Sequence, residues 1–229
     1  VARGRERLAA GALTQACALF QDALATAEAA HPPPIEAVTV ARAHLGQALA
    51  RSGEPRIARE HLDRARDHLT REGSGRRLLV QVEEELARVT QALGDHTAHR
   101  RHLEEAAAAA REAFADAESW RAGGLLARLA DTLEPEDSAR ATRIRLEAAE
   151  MLHGGPATAR RQAVPVRTAL ANDLWASGDP DSAFTQSEKA VKLAEDQLPA
   201  DHIDRVAAEM TLAAFLMARN DLPRARRMF

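Results

Sequence analysis

The chain has 229 residues, enough for one large domain or a repeat array, and 45% of them are apolar, so a buried core can form. That apolar content is mostly Ala and Leu, with no Tyr, two Trp and five Phe, which suits closely packed helices and argues against sheets. A net charge of -3, from 31 basic and 34 acidic residues, excludes the cationic surplus of a phosphate-tracking, nucleic-acid-binding surface.

Helical apolar periodicity, broken by turn signals, sets out six units in chain order: 1–30, 36–70, 78–115, 119–152, 162–197 and 203–229. The first opens inside a helix that stops at Gly11 and continues in a second helix bearing Ala16, Phe20 and Ala23. His31-Pro32-Pro33-Pro34 separates it from the clearest unit, Leu45-Gly46, Leu49, Gly53, Ala58, Leu62, Ala65. After Gly73-Ser74-Gly75 the third unit repeats the frame as Leu86-Ala87, Gly94, Leu103 and Ala106, with His99 in the Ala slot. The fourth is the weakest match: Leu126-Ala127 is followed by Glu134-Pro135-Glu136-Asp137 instead of a Gly turn, then Ala139, Arg143 and Leu146. Beyond His153-Gly154-Gly155-Pro156 come Leu170-Ala171, Gly178, Ala183, Ser187 and Ala190. Beyond Leu198-Pro199-Ala200-Asp201 come Leu212-Ala213, Asn220, Ala225 and Phe229.

The turn positions Gly11, Gly53, Gly94, Glu134, Gly178 and Asn220 are 42, 41, 40, 44 and 42 residues apart. Gly at such a turn takes the left-handed conformation that ends a helix. Glu54-Pro55, Asp179-Pro180 and Asp221-Leu222-Pro223 then read as acidic caps with Pro in the first turn of the second helix. The small residue after the repeating Leu lets the two helices of a unit approach closely, the Ala five after the turn faces it, and the larger residue nine after the turn packs towards the next unit.

This frame resembles the tetratricopeptide repeat (TPR) family, and the resemblance covers essentially the whole chain. It implies an all-α fold: a single right-handed TPR-like superhelical solenoid of antiparallel helix pairs over 1–229. Each unit is about eight residues longer than the usual repeat of about 34, as in kinesin-light-chain-like repeats and the sensor arrays of bacterial multidomain regulators. In the family, first helices line the concave face and carry the binding residues. Carried over slot by slot, these are Gln47 and Arg51 in the second unit and Gln81, Glu84, Arg88 and Gln91 in the third. The fourth gives Arg121, Arg128 and Asp131, the fifth Thr168, Asn172 and Trp175, and the last Met210 and Met217.

Arg51, Arg88 and Arg128 would form a basic track suited to carboxylates. Asn172 falls where the family often holds a peptide backbone, and Trp175, Met210 and Met217 would form an apolar anchor. The alternative is that the arginines are solvated or paired with Glu84 and Asp131, and that Trp175 is core.

No catalytic motif appears. His96, His99 and His102 are spaced three apart, but His99 fills a packing slot and no carboxylate partner is evident in sequence, so neither a metal nor another cofactor is expected. Gly73-Ser74-Gly75-Arg76-Arg77 lacks the strand and the Lys-Ser/Thr of a phosphate loop. Cys17, the single cysteine, allows no internal disulfide, fits a reducing cytoplasmic setting and reads as a buried, inert thiol. The longest apolar stretch, 210–218, is far shorter than a membrane span, and no signal-peptide pattern opens the chain.

The first residue is Val and neither end reads as a polar capping unit, which predicts flanking effector domains or further repeats. The expected function is therefore a non-enzymatic scaffold that binds a protein or peptide on its concave face, self-association included among the partners. The alternative is a ligand- or peptide-sensing module of a bacterial STAND-type, maltose-regulator-type or helix-turn-helix regulator.

Overall fold

The computed structural model describes residues 1–114, 118–133 and 137–228. Among these, twelve helices and no strands occur: α1 (Ala2–Ala9), α2 (Leu13–Ala29), α3 (Ile35–Arg51), α4 (Pro55–Glu72), α5 (Arg76–Ala92), α6 (His96–Ala113), α7 (Trp120–Leu133), α8 (Ser138–His153), α9 (Ala157–Ala176), α10 (Pro180–Gln197), α11 (Ile203–Ala218) and α12 (Leu222–Arg226). They fall into two compact units, Val1–Ala113 and Phe114–Phe229. In each, every helix packs on the next, and alternate first helices also touch, α3 on α5 in one unit and α7 on α9 on α11 in the other.

The turns follow directly from the residues that occupy them. Gly11, Gly53, Gly94 and Gly178 all have φ between 75° and 90°, and Asn220, at φ 61°, takes the same conformation with a side chain that tolerates it. The amide after each turn residue bonds back to the carbonyl five residues earlier: Ala12 to Arg7, Glu54 to Leu49, Asp95 to Thr90, Asp179 to Leu174 and Asp221 to Leu216, at 2.8 to 3.0 Å. This is the Schellman arrangement, which satisfies carbonyls the helix end leaves over. Acidic caps start several second helices: Asp95, Asp137, Asp179 and Asp221 accept from the amides of Ala98, Arg140, Ser182 and Arg224. Glu54 caps α4 by position alone, with no side-chain bond.

Close approach within a hairpin is visible at Gly46, where a Cβ would stand 2.6 Å from Leu62 Cγ. Gly4, one period of 42 earlier, faces Phe20 in the same way, at 2.5 Å from the ring. The core of the first unit runs through Phe20, Leu45, Leu62 and Leu86. That of the second centres on Leu152, Val164, Ala194 and Leu216, beside a smaller group of Ala171, Ala183 and Phe215. Cys17 is only half-buried, at the margin of the first core, so the expectation of a fully buried thiol is corrected.

The fourth hairpin corrects the sequence frame. Its assumed turn, 134–136, lies outside the described residues, as does Phe229. Its second helix is nevertheless capped by Asp137, eleven residues after Leu126, where Glu54 follows Leu45 by nine. The link is two residues longer, so the packing slots move two along. Ala141, Arg145 and Ala148 are buried, not Ala139, Arg143 and Leu146; Leu146 is 44% exposed. Arg145 thus stands where Leu62 and Leu103 stand in other units, and it is held by ion pairs to Asp131 (2.9 Å) and Asp173.

Candidate partner-binding surface

In the first unit the candidate residues lie on α3 and α5, whose periodicity turns one face to α4 and α6 and leaves the other polar. Gln47 Nε2 donates to Glu85 Oε1 at 2.8 Å, and Arg88 donates to the same oxygen at 2.8 Å and to Glu84 at 2.9 Å. Glu85 is buried, so this network ties α3 to α5 and occupies the guanidinium of Arg88. Glu85 was not among the sequence candidates; a run of three glutamates gives no hint of which one turns inward. Arg51, Gln81 and Gln91 are exposed near the polar face. His44, stacked on Phe20 with centroids 5.4 Å apart, is held below its ordinary pKa by burial and then by the Arg5 charge.

In the second unit Arg121 is exposed and lies 4.7 Å over the Trp120 ring and 5.3 Å from the Phe114 ring, with Glu118 3.2 Å away. Arg128 is half-buried. Asp131 is exposed yet committed to Arg145. Thr168 is packed in the hairpin, its hydroxyl donating to the Val164 carbonyl at 3.0 Å.

Asn172 is exposed on α9, one turn before Trp175. Trp175 stacks on Phe215 of α11, with ring centroids 4.5 Å apart and planes within 9°. Both the core reading and the surface reading of Trp175 are met in part, because it packs α9 against α11 while staying half exposed. On α11, Met210 and Met217 are 58% and 56% exposed, in line with Ile203 and Val206. In earlier hairpins the positions one or more periods before Val206 are buried, at Thr39, Val80 and Val164. An apolar stripe thus runs along the outer face of α11.

The three histidines singled out in sequence do not converge. His96 is exposed, His99 Nδ1 meets the Ala87 carbonyl at 2.7 Å, and His102 pairs with Glu83 on α5. The carboxylate partner that the sequence did not reveal is therefore present for one of them.

No protein-family model matches the sequence, and no curated protein matches it. Solved structures do match. A putative kinesin light chain from Podosopora anserina, with nearly identical TPR-like repeats, is 17% identical over 82% of this chain and 89% of its own, with a TM-score of 0.58. BtubC (BKLC) from P. vanneervenii is 20% identical over 95% and 91%, with a TM-score of 0.63. The apo form of the quorum sensor NprR from B. thuringiensis is 11% identical over 99% of this chain and 60% of its own, with a TM-score of 0.58. At these identities the likeness defines the fold: the chain is a TPR-like repeat protein, an all-α solenoid of successive helix pairs. Within that class its long hairpins are similar to kinesin-light-chain-like repeats. No helix among the described residues is long and apolar enough to cross a membrane.

Proposed function

We propose that the first-helix faces bind a peptide segment of a partner protein, with an apolar anchor and a backbone contact on α9 and α11. The observation that carries this reading is the exposed Asn172 beside the Trp175–Phe215 stack; Met210 and Met217 add exposed apolar area on the outer face of α11. Exposed apolar area of this kind is what peptide-binding surfaces use. The amide of Asn172 can give and take hydrogen bonds with a peptide backbone. Thioethers adapt to varied apolar side chains. The arginines contribute less, since a ligand carboxylate competes with Glu84 and Glu85 for Arg88.

The reading is tested by selecting a displayed random-peptide library on the purified 229-residue chain. It requires an enriched motif with at least one large apolar residue. Enrichment should be lost in an Asn172→Ala, Met210→Glu, Met217→Glu variant whose helicity is unchanged. A library that yields no motif, or a motif indifferent to these changes, contradicts it.

The likeness to a quorum sensor supports a second reading, in which the bound peptide is a signal and the chain is a regulatory module. In that case a selected peptide changes the oligomeric state in sedimentation; a scaffold keeps the same mass plus the peptide.

A further inference from the structure

The third hairpin holds a cluster that packing alone does not call for. Glu83 on α5 and His102 on α6 are almost wholly inaccessible, and Glu83 Oε2 lies 2.7 Å from His102 Nδ1. Glu105, one turn beyond His102 on the same face of α6, places Oε2 3.7 Å from that nitrogen. One donor atom from each residue lies within 4.8 Å of the other two. Bonds to a metal of about 2.0–2.2 Å set neighbouring donor atoms roughly 3 Å apart, and the two measured separations bracket that spacing. The donors come from two helices locked together in one hairpin, so the backbone presents them as a chelate. A cavity of about 760 Å³ between α4, α5 and α6 opens on Glu83 and Glu105, leaving room for a water on the remaining side.

Four arginines, Arg66, Arg71, Arg76 and Arg101, and four carboxylates, Asp67, Glu83, Glu105 and Glu112, line the cavity. Around the cavity, Arg66 is engaged by Asp63 and Asp67, and Arg76 by Glu112. Arg101 stands 3.9 Å from Glu105 and 3.3 Å from His102 Nε2. Two carboxylates crowd one buried imidazole, an arrangement that a dication relieves.

We propose that Glu83, His102 and Glu105 form a binding site for a divalent transition metal, Zn²⁺ being the best match, that fastens α5 to α6 within the third hairpin. One imidazole with two carboxylates suits Zn²⁺, which accepts three protein ligands and a water. The nitrogen donor disfavours Mg²⁺ and Ca²⁺, and the lack of thiolate disfavours Cu(I). On binding, Nδ1 offers its lone pair, the imidazole proton resides on Nε2, and the half-exposed Arg101 turns to solvent. The site is separate from the peptide-binding residues of α9 and α11.

Calorimetric titration of ZnCl₂ into the chelator-treated full chain tests this, with melting followed in parallel. One equivalent should bind saturably and raise the melting temperature, while MgCl₂ does neither. Glu105→Gln, at a half-exposed position that leaves the fold intact, should lower affinity at least about tenfold. His102→Gln should abolish binding, and His96→Gln, on the exposed side of the same helix, should leave it unchanged. If burial of His102 makes its variant fold poorly, Co²⁺ substitution of the unaltered chain and of Glu105→Gln gives a second readout, the visible absorption of a tetrahedral site. Absence of saturable binding, equal binding of Mg²⁺, or binding insensitive to Glu105→Gln overturns the proposal.

Discussion

Replacing Gly46 with Ala tests the close approach of α3 and α4 in the second hairpin. A Cβ at this position would lie 2.6 Å from Leu62 Cγ, 2.8 Å from Leu62 Cδ2 and 3.2 Å from the Ala58 carbonyl oxygen. Leu62 has no exposed surface, so it has no solvent into which to swing. Overpacking of this kind costs about 1–3 kcal/mol. Against it stands the helix preference for Ala over Gly, about 1 kcal/mol. The single substitution should therefore destabilise by about 0–2 kcal/mol. Leu62→Ala alone should cost about 2–5 kcal/mol through lost burial and a cavity.

The double variant distinguishes the cause. With Leu62 truncated, only the Ala58 carbonyl remains close, and Gly46→Ala should become neutral or stabilising by up to about 1 kcal/mol. Urea denaturation of the four proteins, followed by far-ultraviolet circular dichroism, closes the cycle. If Gly46→Ala costs as much in the Leu62→Ala background as it does with Leu62 intact, the steric account of the hairpin is wrong.

Three further outcomes follow from the same structure. Asn220→Gly should leave stability nearly unchanged, whereas Asn220→Val should cost about 1–2 kcal/mol, because φ at this turn is positive; thermal melts decide. Arg145→Ala should destabilise by about 3 kcal/mol, less than a fully enclosed pair would give because Asp131 is exposed, and Arg145→Met with Asp173→Asn should recover part of the loss. His44 and His61 are both held below the ordinary value of 6.5, chiefly by burial, so the folded state takes up their protons less readily than the unfolded chain. Their contribution is complete above pH 6.5 and is lost as pH falls through the folded pKa values; denaturation midpoints should drop below pH 6.5, and less so in His44→Gln.

The fold was legible because its repeating constraints are backbone constraints. Gly at a left-handed turn and a small residue at the closest approach leave few substitutes, so Gly53, Gly94, Gly178 and the Leu-small pairs register in sequence at constant spacing. Gly4 obeys the same period as Gly46 and was open to the same reading. What misled was length. Two additional residues between Leu126 and Asp137 carried the packing frame onto Ala139, Arg143 and Leu146, and Arg145 in a slot usually filled by Leu or Phe hid the slip. Pro165 sits inside α9 at an exposed position, and α9 starts at Ala157, before the 162 assigned to that unit.

The site was legible only as slots. Spacing placed Asn172, Trp175, Met210 and Met217 on first helices, and the pairing of Arg88 with Glu84, one turn away, was open to the same reading; contacts between helices were not. Glu85 reaching Gln47 and Glu83 reaching His102 are both such contacts, between helices, and neither leaves a trace in local pattern.

The most direct test of the binding account is to map a bound peptide. A selected peptide carrying a photoreactive diazirine at its apolar anchor is irradiated on the chain, and the labelled residues are located by mass spectrometry. Labels on α9 and α11, around Asn172, Met210 and Met217, are the predicted result. Labels confined to the second helices α8 and α10 would contradict it.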